Sequence, residues 1–423
     1  MIYLRIIKVA AFLFISSTGS FCQLWIGSEF RPRIEYRDGY RLNTDSKGEP
    51  AFLASFRTRI HISYRLSKFS FSFLPQDTRT LNDQQFLENT GMDIPNTGLN
   101  LREAWISYSP DERITFKIGR QVTFFNDQRL MAKRNWSQDG TGYDMVGFEY
   151  HKNNVDLQTG ISYNFFPEES TGDDYTDTDF KTFNFINLKG RYANKLEIAF
   201  VSVLTGKNDI DSVDGIFFQN TSGIYTEYNG EKYGIHASFY TQWGSNHPEE
   251  KVFSYLTDIH GLAHFGKSTL SSGLAIISGN HWSDNRHIDH TFDLLYGVRH
   301  SYYGLMDHFS KTDESTKNSG LIDGYLSVVI QNSAKLNFEL GLHALSMAGD
   351  YYRTDPQFAS LGKYLATETD FIALYQWTSW LMVEAGYCIL IPSETYRHFV
   401  STDAFRSSNF VYLTITFSPV FLD

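Results

Sequence analysis

Cysteine and proline are scarce in this chain, and long apolar runs are missing. Of its 423 residues, two are cysteine and ten are proline. Cys22 closes a stretch that reads as a secretory signal, so Cys388 alone remains, which excludes an intrachain disulfide and a cysteine metal cluster in the mature protein. After that stretch no segment approaches about 18 uninterrupted apolar residues, which excludes helical membrane spans. Gly-x-Ser-x-Gly, His-Glu-x-x-His and the phosphate loop do not occur, so no enzymatic activity and no cofactor are expected. No nucleic-acid partner is expected either.

The N-terminal signal has Arg5 and Lys8 ahead of the apolar run from Val9 to Ile15, then a small-x-small end at Ser20-Phe21-Cys22. The expected organisation is a signal peptide over 1–22 and a single domain over 23–423. Export without disulfides points to a bacterial envelope. If such a chain enters a membrane, it must do so as a closed barrel, because only helices and barrels satisfy every backbone polar group in lipid.

Aromatic residues are plentiful, at 16% of the chain. Alternation is plentiful too. In WIGSEFRPRIEYRDG, residues 25–39, charge falls on Glu29, Arg31, Arg33, Glu35 and Arg37, while Phe30, Pro32, Ile34 and Tyr36 take the other parity. A strand sends successive side chains to opposite faces, so this segment has one charged face and one largely apolar face. The next repeats it, with Arg57, Arg59 and His61 opposed to Phe56, Ile60 and Ile62. Such segments recur to the end of the chain, joined alternately by tight turns such as Asn229-Gly230-Glu231 and by long polar connections over 39–51, 81–97, 123–142, 167–180, 207–220, 245–250, 280–320, 349–365 and 393–406. Nine long and eight short connections predict about 18 antiparallel strands with both termini at the short-turn end.

The expected fold is therefore all-β: a transmembrane antiparallel up-and-down barrel of outer-membrane type, with both termini periplasmic, a polar interior and an apolar exterior against outer-membrane lipid. The last strand, Asn409 to Phe417, resembles the assembly signal of such barrels, which implies the barrel assembly machinery as a partner.

Charge is unevenly placed. Residues 23–140 carry 17 Lys and Arg against 14 Asp and Glu, whereas 141–423 carry 18 against 34. Cations thus gather on the first five strands, where Arg31, Arg33, Arg57, Arg59, His61 and Lys117 share the polar parity. Arg120 falls on the apolar parity; either Gly119 makes a bulge that turns it inward, or it lies above the hydrocarbon among headgroups. A guanidinium ladder in a pore can bind carboxylate or phosphate. It can equally brace the wall by pairing with Glu29, Glu35, Asp77 and Glu103.

Arg102-Glu-Ala-Trp105, Lys117-Ile-Gly-Arg-Gln121, Asn126-Asp-Gln-Arg-Leu130 with Trp136, Gly142-Tyr-Asp144, Leu295-Tyr-Gly297 with His300, and Gly304-Leu-Met-Asp307 resemble the ordered motifs of the alginate-export family of outer-membrane proteins, in the branch common in Bacteroidetes. The resemblance implies an 18-stranded barrel passing a polyuronate through an arginine-lined constriction with inward-folded loops. It implies roles for Arg120 and Arg129 from the motifs, and for Arg31, Arg33, Arg57 and Arg59 by position. The expected pore-lining or anion-binding set is then Arg31, Arg33, Arg57, Arg59, His61, Glu103, Lys117, Arg120 and Arg129. The expected function is facilitated diffusion or export of an anionic polysaccharide or oligosaccharide, alginate-like, through an arginine-lined pore. The alternative is a general or uptake porin for small solutes.

No metal is expected. Asp209, Asp211 and Asp214, and likewise Asp173, Asp174, Asp177 and Asp179, have calcium-like spacing without the full calcium-loop pattern, and read as solvated acidic loops. His281, Asp284, His287, Asp289 and His290 crowd one loop with no zinc spacing.

Overall fold

The structure is a computed structural model and describes residues 22–41, 49–81, 98–164, 180–193, 195–208, 215–247, 250–281, 287–350, 362–400 and 407–422. The calcium-like aspartates and Asp284 lie outside them.

Eighteen strands form one antiparallel barrel: β1 (Cys22–Asp38), β2 (Ala51–Leu66), β3 (Phe69–Thr80), β4 (Gly98–Asp111), β5 (Ile114–Gln121), β6 (Tyr143–Lys152), β7 (Val155–Tyr163), β8 (Thr182–Tyr192), β9 (Leu196–Asn208), β10 (Ile216–Asn229), β11 (Tyr233–His247), β12 (Glu250–Phe265), β13 (Ser268–Ile277), β14 (Leu321–Gln331), β15 (Leu336–Met347), β16 (Tyr364–Thr378), β17 (Leu381–Pro392) and β18 (Ser408–Phe417). Each pairs with its neighbours in sequence. The ring closes through β1 and β18, with Phe30 opposite Phe417 and Asp38 opposite Asn409. Beyond β18, Val420 and Leu422 pair with Gly27 and Ile26 of β1, so both described ends lie at the short-turn end.

Burial is inverted relative to a water-soluble sandwich. On β2, Arg57 is fully buried while Ile60 is 48% exposed. Ile118, Ile161, Ile224 and Phe239 stand exposed on the outer parity, whereas Ser72, Gln76, Gln219, Thr221, Gln242 and Ser254 are buried on the inner one. The pleat alone sorts them, and only lipid outside makes this arrangement favourable. Replacing Ile224 by Arg places a charge among acyl chains and is expected to cost about 2–4 kcal/mol near mid-height, read by guanidinium unfolding from vesicles.

Two corrections to the sequence reading follow. The polar stretch 245–250 is strand at both of its ends, since β11 runs to His247 and β12 begins at Glu250. The interior, expected to be polar, is partly an apolar core. Phe125, Leu130 and Met131 from the 122–142 connection and Phe292, Leu294, Tyr303, Met306 and Phe309 from the 278–320 connection are buried with Phe183, Val203, Leu256, Ile277, Leu345 and Leu390 of the wall. The described residues of both connections fold into the lumen; the second carries the short helix α1 (Thr312–Ser315). A further helix, α2 (Glu394–Val400), places Tyr396 against Phe309. Once these segments displace water, apolar residues on the inner parity are the favourable choice.

Candidate functional site

The arginine wall is set by register. Arg31 of β1 lies directly opposite Arg57 of β2, and Arg59 lies opposite Glu29. Facing guanidinium groups repel. A strip of the inserted chain supplies what offsets this. Arg31 donates to the carbonyls of Asn135 (2.6 Å), Trp136 (3.1 Å) and Ser137 (3.0 Å), and to Gln138 Oε1 (2.8 Å). Arg33 donates to the Trp136 carbonyl at 2.8 Å, and Arg57 to the Ser137 carbonyl and to Asn135 Oδ1, both at 3.0 Å. Arg59 reaches Asn135 Oδ1 at 3.0 Å, and Arg102 donates to the Lys133 carbonyl. Glu29 takes the remaining Arg57 bond at 2.6 Å, and Glu35 meets Arg33 at 3.4 Å. Five guanidinium groups therefore grip one segment, 133–138, four of them through its main-chain carbonyls and Arg59 through the Asn135 side chain. Bracing by carboxylates, as read from the sequence, is the lesser part.

The second inserted segment locks against the first. Met131 and Tyr296 form a parallel bridge, Tyr296 N–H donates to the Leu130 carbonyl (3.0 Å), and Val298 N–H donates to that of Gln128 (2.9 Å). The approach needs a glycine: a Cβ on Gly297 would stand 2.0 Å from the Arg129 carbonyl oxygen. Trp136 is stacked between the Arg33 guanidinium and the His300 ring, each at 3.9 Å, and His300 pairs with Asp307 at 2.9 Å.

Arg129 joins this assembly to the wall. It donates to Tyr303 Oη (2.8 Å) and to Asp258 Oδ2 of β12 (2.6 Å), and stacks over Tyr302 at 3.7 Å. Burial opposes its charge, but Tyr303, Asp258, Tyr302 and Asp127 outweigh that and hold its pKa above the ordinary value.

The second segment is also tied down by a neutral histidine. His308 hydrogen-bonds to Tyr396 Oη and the Gly39 carbonyl, and burial pushes its pKa down to about 4. A released segment would regain the usual histidine value near 6.5. It would thus bind a proton more readily than the docked one, and docking weakens as pH falls from about 6.5 to about 4, with nothing lost above that window. Asp127, which burial raises to about 6, acts in the opposite sense. His308→Gln isolates the effect: hydrogen exchange of 300–311 should show wild type losing on the order of 3 kcal/mol relative to the variant across that window.

The other expected site residues are placed as follows. His61 (3.0 Å from Ser72 Oγ), Glu103 (accepting from Trp105 Nε1 at 2.8 Å) and Lys117 (4.2 Å over the Trp105 ring) are half-buried on the inner wall. Arg120 is a correction. It pairs at 2.7 Å with Asp144, its register partner, on the outer parity shared with Ile118, while Tyr143 and Met145 point in. Gly119 takes a positive φ of 118° but does not reverse that parity. Asn135, Gln138, Asp258 and Tyr303 were missed, having no motif of their own; their partners lie about 80 to 170 residues away in sequence.

Two of the cavities that flank the inserted segments differ in the charge of their linings. One, of about 280 Å³ at the long-connection end, is lined by Arg33, Arg37, Arg41, Arg79, Tyr40 and Trp136 with Glu35 and Asp139. The other, of about 370 Å³, is lined by His260, His300, His343, Asp323, Glu339 and Asp370 among others. The lumen is thus cationic on one side and acidic with histidines on the other.

Known proteins place this architecture. The chain resembles Acinetobacter baumannii OccAB2 (12% identity, 94% of this chain and 98% of that one, TM-score 0.61), Acinetobacter baumannii OccAB1 (11%, 94% and 97%, 0.60) and the Pseudomonas aeruginosa outer membrane protein opdK (11%, 94% and 99%, 0.58). No curated protein matches it in sequence. The family model described as "Alginate export" matches residues 22–198. By fold the chain is a closed 18-stranded antiparallel β-barrel of the outer-membrane porin type, and over residues 22–198 it matches the alginate-export family model.

Proposed function

We propose that this barrel is a channel for facilitated diffusion or export of an anionic, alginate-like oligosaccharide or polysaccharide. The observation that carries the reading is the basic cavity at the long-connection end. Arg37, Arg41 and Arg79 reach solvent there beside Tyr40 and Trp136, with Arg41 61% exposed. Guanidinium groups bind carboxylates in paired, charge-assisted hydrogen bonds. Beside this cavity Arg31, Arg33 and Arg57 hold carbonyl oxygens of the inserted strip, and a uronate carboxylate offers the same donors a charged acceptor that engages a guanidinium through two parallel bonds. Lys117 continues the cationic side of the lumen, with the His61 ring beside it on the inner wall.

Single-channel recording in planar bilayers tests this. The expected result is anion selectivity with block by oligouronates, both lost in Arg37→Ala, Arg41→Ala, Arg79→Ala. The second reading, a general or uptake porin, is favoured by the acidic wall around Asp323, Glu339 and Asp370; it predicts cation preference and no block in the same recording.

A further inference from the structure

We propose that the inner wall of β11, β12 and β14 holds a divalent transition-metal ion of the zinc type, bound by His236 Nδ1, His260 Nδ1, Asp258 Oδ1 and Tyr325 Oη. The proposal is independent of the solute the channel carries.

Register builds the site. His236 lies directly opposite His260, His260 opposite Gly273, and Gly273 opposite Tyr325, so one row of the sheet runs His, His, Gly, Tyr on the inner face. Asp258 stands two residues from His260 on that face. Gly273 has no side chain, so the Tyr325 ring lies across β13; a Cβ there would stand 2.5 Å from both Tyr325 Cζ and His260 Cβ.

The four ligand atoms converge. His260 Nδ1 is 3.1 Å from His236 Nδ1, 3.1 Å from Asp258 Oδ1 and 3.0 Å from Tyr325 Oη. His236 Nδ1 is 3.9 Å from Asp258 Oδ1, and Tyr325 Oη is 3.3 Å from it. A ring nitrogen has one proton or one lone pair, so it cannot serve three hydrogen-bond partners. A tetrahedral ion with bonds of about 2.0–2.1 Å keeps its ligands about 3.3 Å apart, which is the spacing here.

A second observation points the same way. His236 Nε2 and Asp127 Oδ2 are buried and without hydrogen bonds, 3.8 Å apart. Metal on Nδ1 fixes the proton on Nε2, aimed at that carboxylate, the usual outer support of a metal-bound histidine. Arg129 occupies Asp258 Oδ2 and leaves Oδ1 to the ion. The cavity of about 370 Å³ lined by His260 and Tyr325 gives it a way in.

The test uses the full-length barrel in detergent, stripped with chelator and titrated with ZnCl2 by calorimetry and with CoCl2 by visible absorption. The expected result is one ion per barrel with the bands of four-coordinate cobalt, binding about 10–100-fold weaker in Asp127→Asn, no saturable binding in His236→Gln, His260→Gln, and no change in His290→Gln. X-ray absorption of the zinc-loaded wild type, which needs no variant to fold, should show two imidazoles in the first shell. No saturable binding by the wild type, a shell without imidazole, or binding that survives the double histidine substitution overturns the proposal.

Discussion

Replacing Arg31 and Arg57 together by Ala should open the lumen rather than merely weaken its pull on anions. The pair holds the Asn135, Trp136 and Ser137 carbonyls, Asn135 Oδ1 and Gln138 Oε1, while the wall keeps its own backbone ladder without them. Hydrogen bonds to charged groups contribute about 1.5–3 kcal/mol each. A loss of about 4 kcal/mol moves the docked and released populations of 133–138 about a thousandfold relative to one another. The expected result is a higher and noisier single-channel conductance, with faster maleimide labelling of Ser137→Cys in a Cys388→Ser background. Were these arginines only solute contacts, selectivity would fall with conductance and labelling unchanged.

Arg129→Ala should have the other large effect, through a different route. Asp258 is fully buried and Asp127 nearly so, and Arg129 meets both, at 2.6 Å and 3.7 Å. Removing one member of a buried ion pair costs about 3–5 kcal/mol, because the charge left behind has no water. Arg129→Lys should recover little, since a single ammonium cannot reach Tyr303 and Asp258 and also stack on Tyr302. Asp258→Asn added to Arg129→Ala should recover much of the loss. Hydrogen exchange of 127–138 and 294–306 reads the effect directly, as both segments are joined at this side chain.

What the sequence disclosed depended on how local the signal was. Period-2 alternation needs only neighbouring residues, so β15 was read at its observed bounds, Leu336–Met347, and the inner parity of Arg31, Arg57, Arg59 and Lys117 followed. Turn residues marked the hairpins for the same reason. The 245–250 stretch misled because polar residues on an inward-facing barrel strand look like a loop. The arginines' acceptors were invisible, because main-chain carbonyls carry no side-chain signature and lie about a hundred residues on. Arg120 shows the limit of a motif: its neighbours identified the segment, but the pleat decided which way it points. The His236 and His260 pair was hidden because only inter-strand register brings them together.

The account rests on two inserted segments meeting inside the barrel, and one cross-link tests it. Met131 and Tyr296 are partners in a parallel bridge, and neighbouring strand backbones lie about 4.7–4.9 Å apart, within disulfide range. Met131→Cys with Tyr296→Cys, in a Cys388→Ser background, should oxidise within the folded barrel and leave its conductance at the wild-type level in both redox states. Cysteines that stay free, or a disulfide that forms only as conductance falls, would show that the segments stand apart in the working channel.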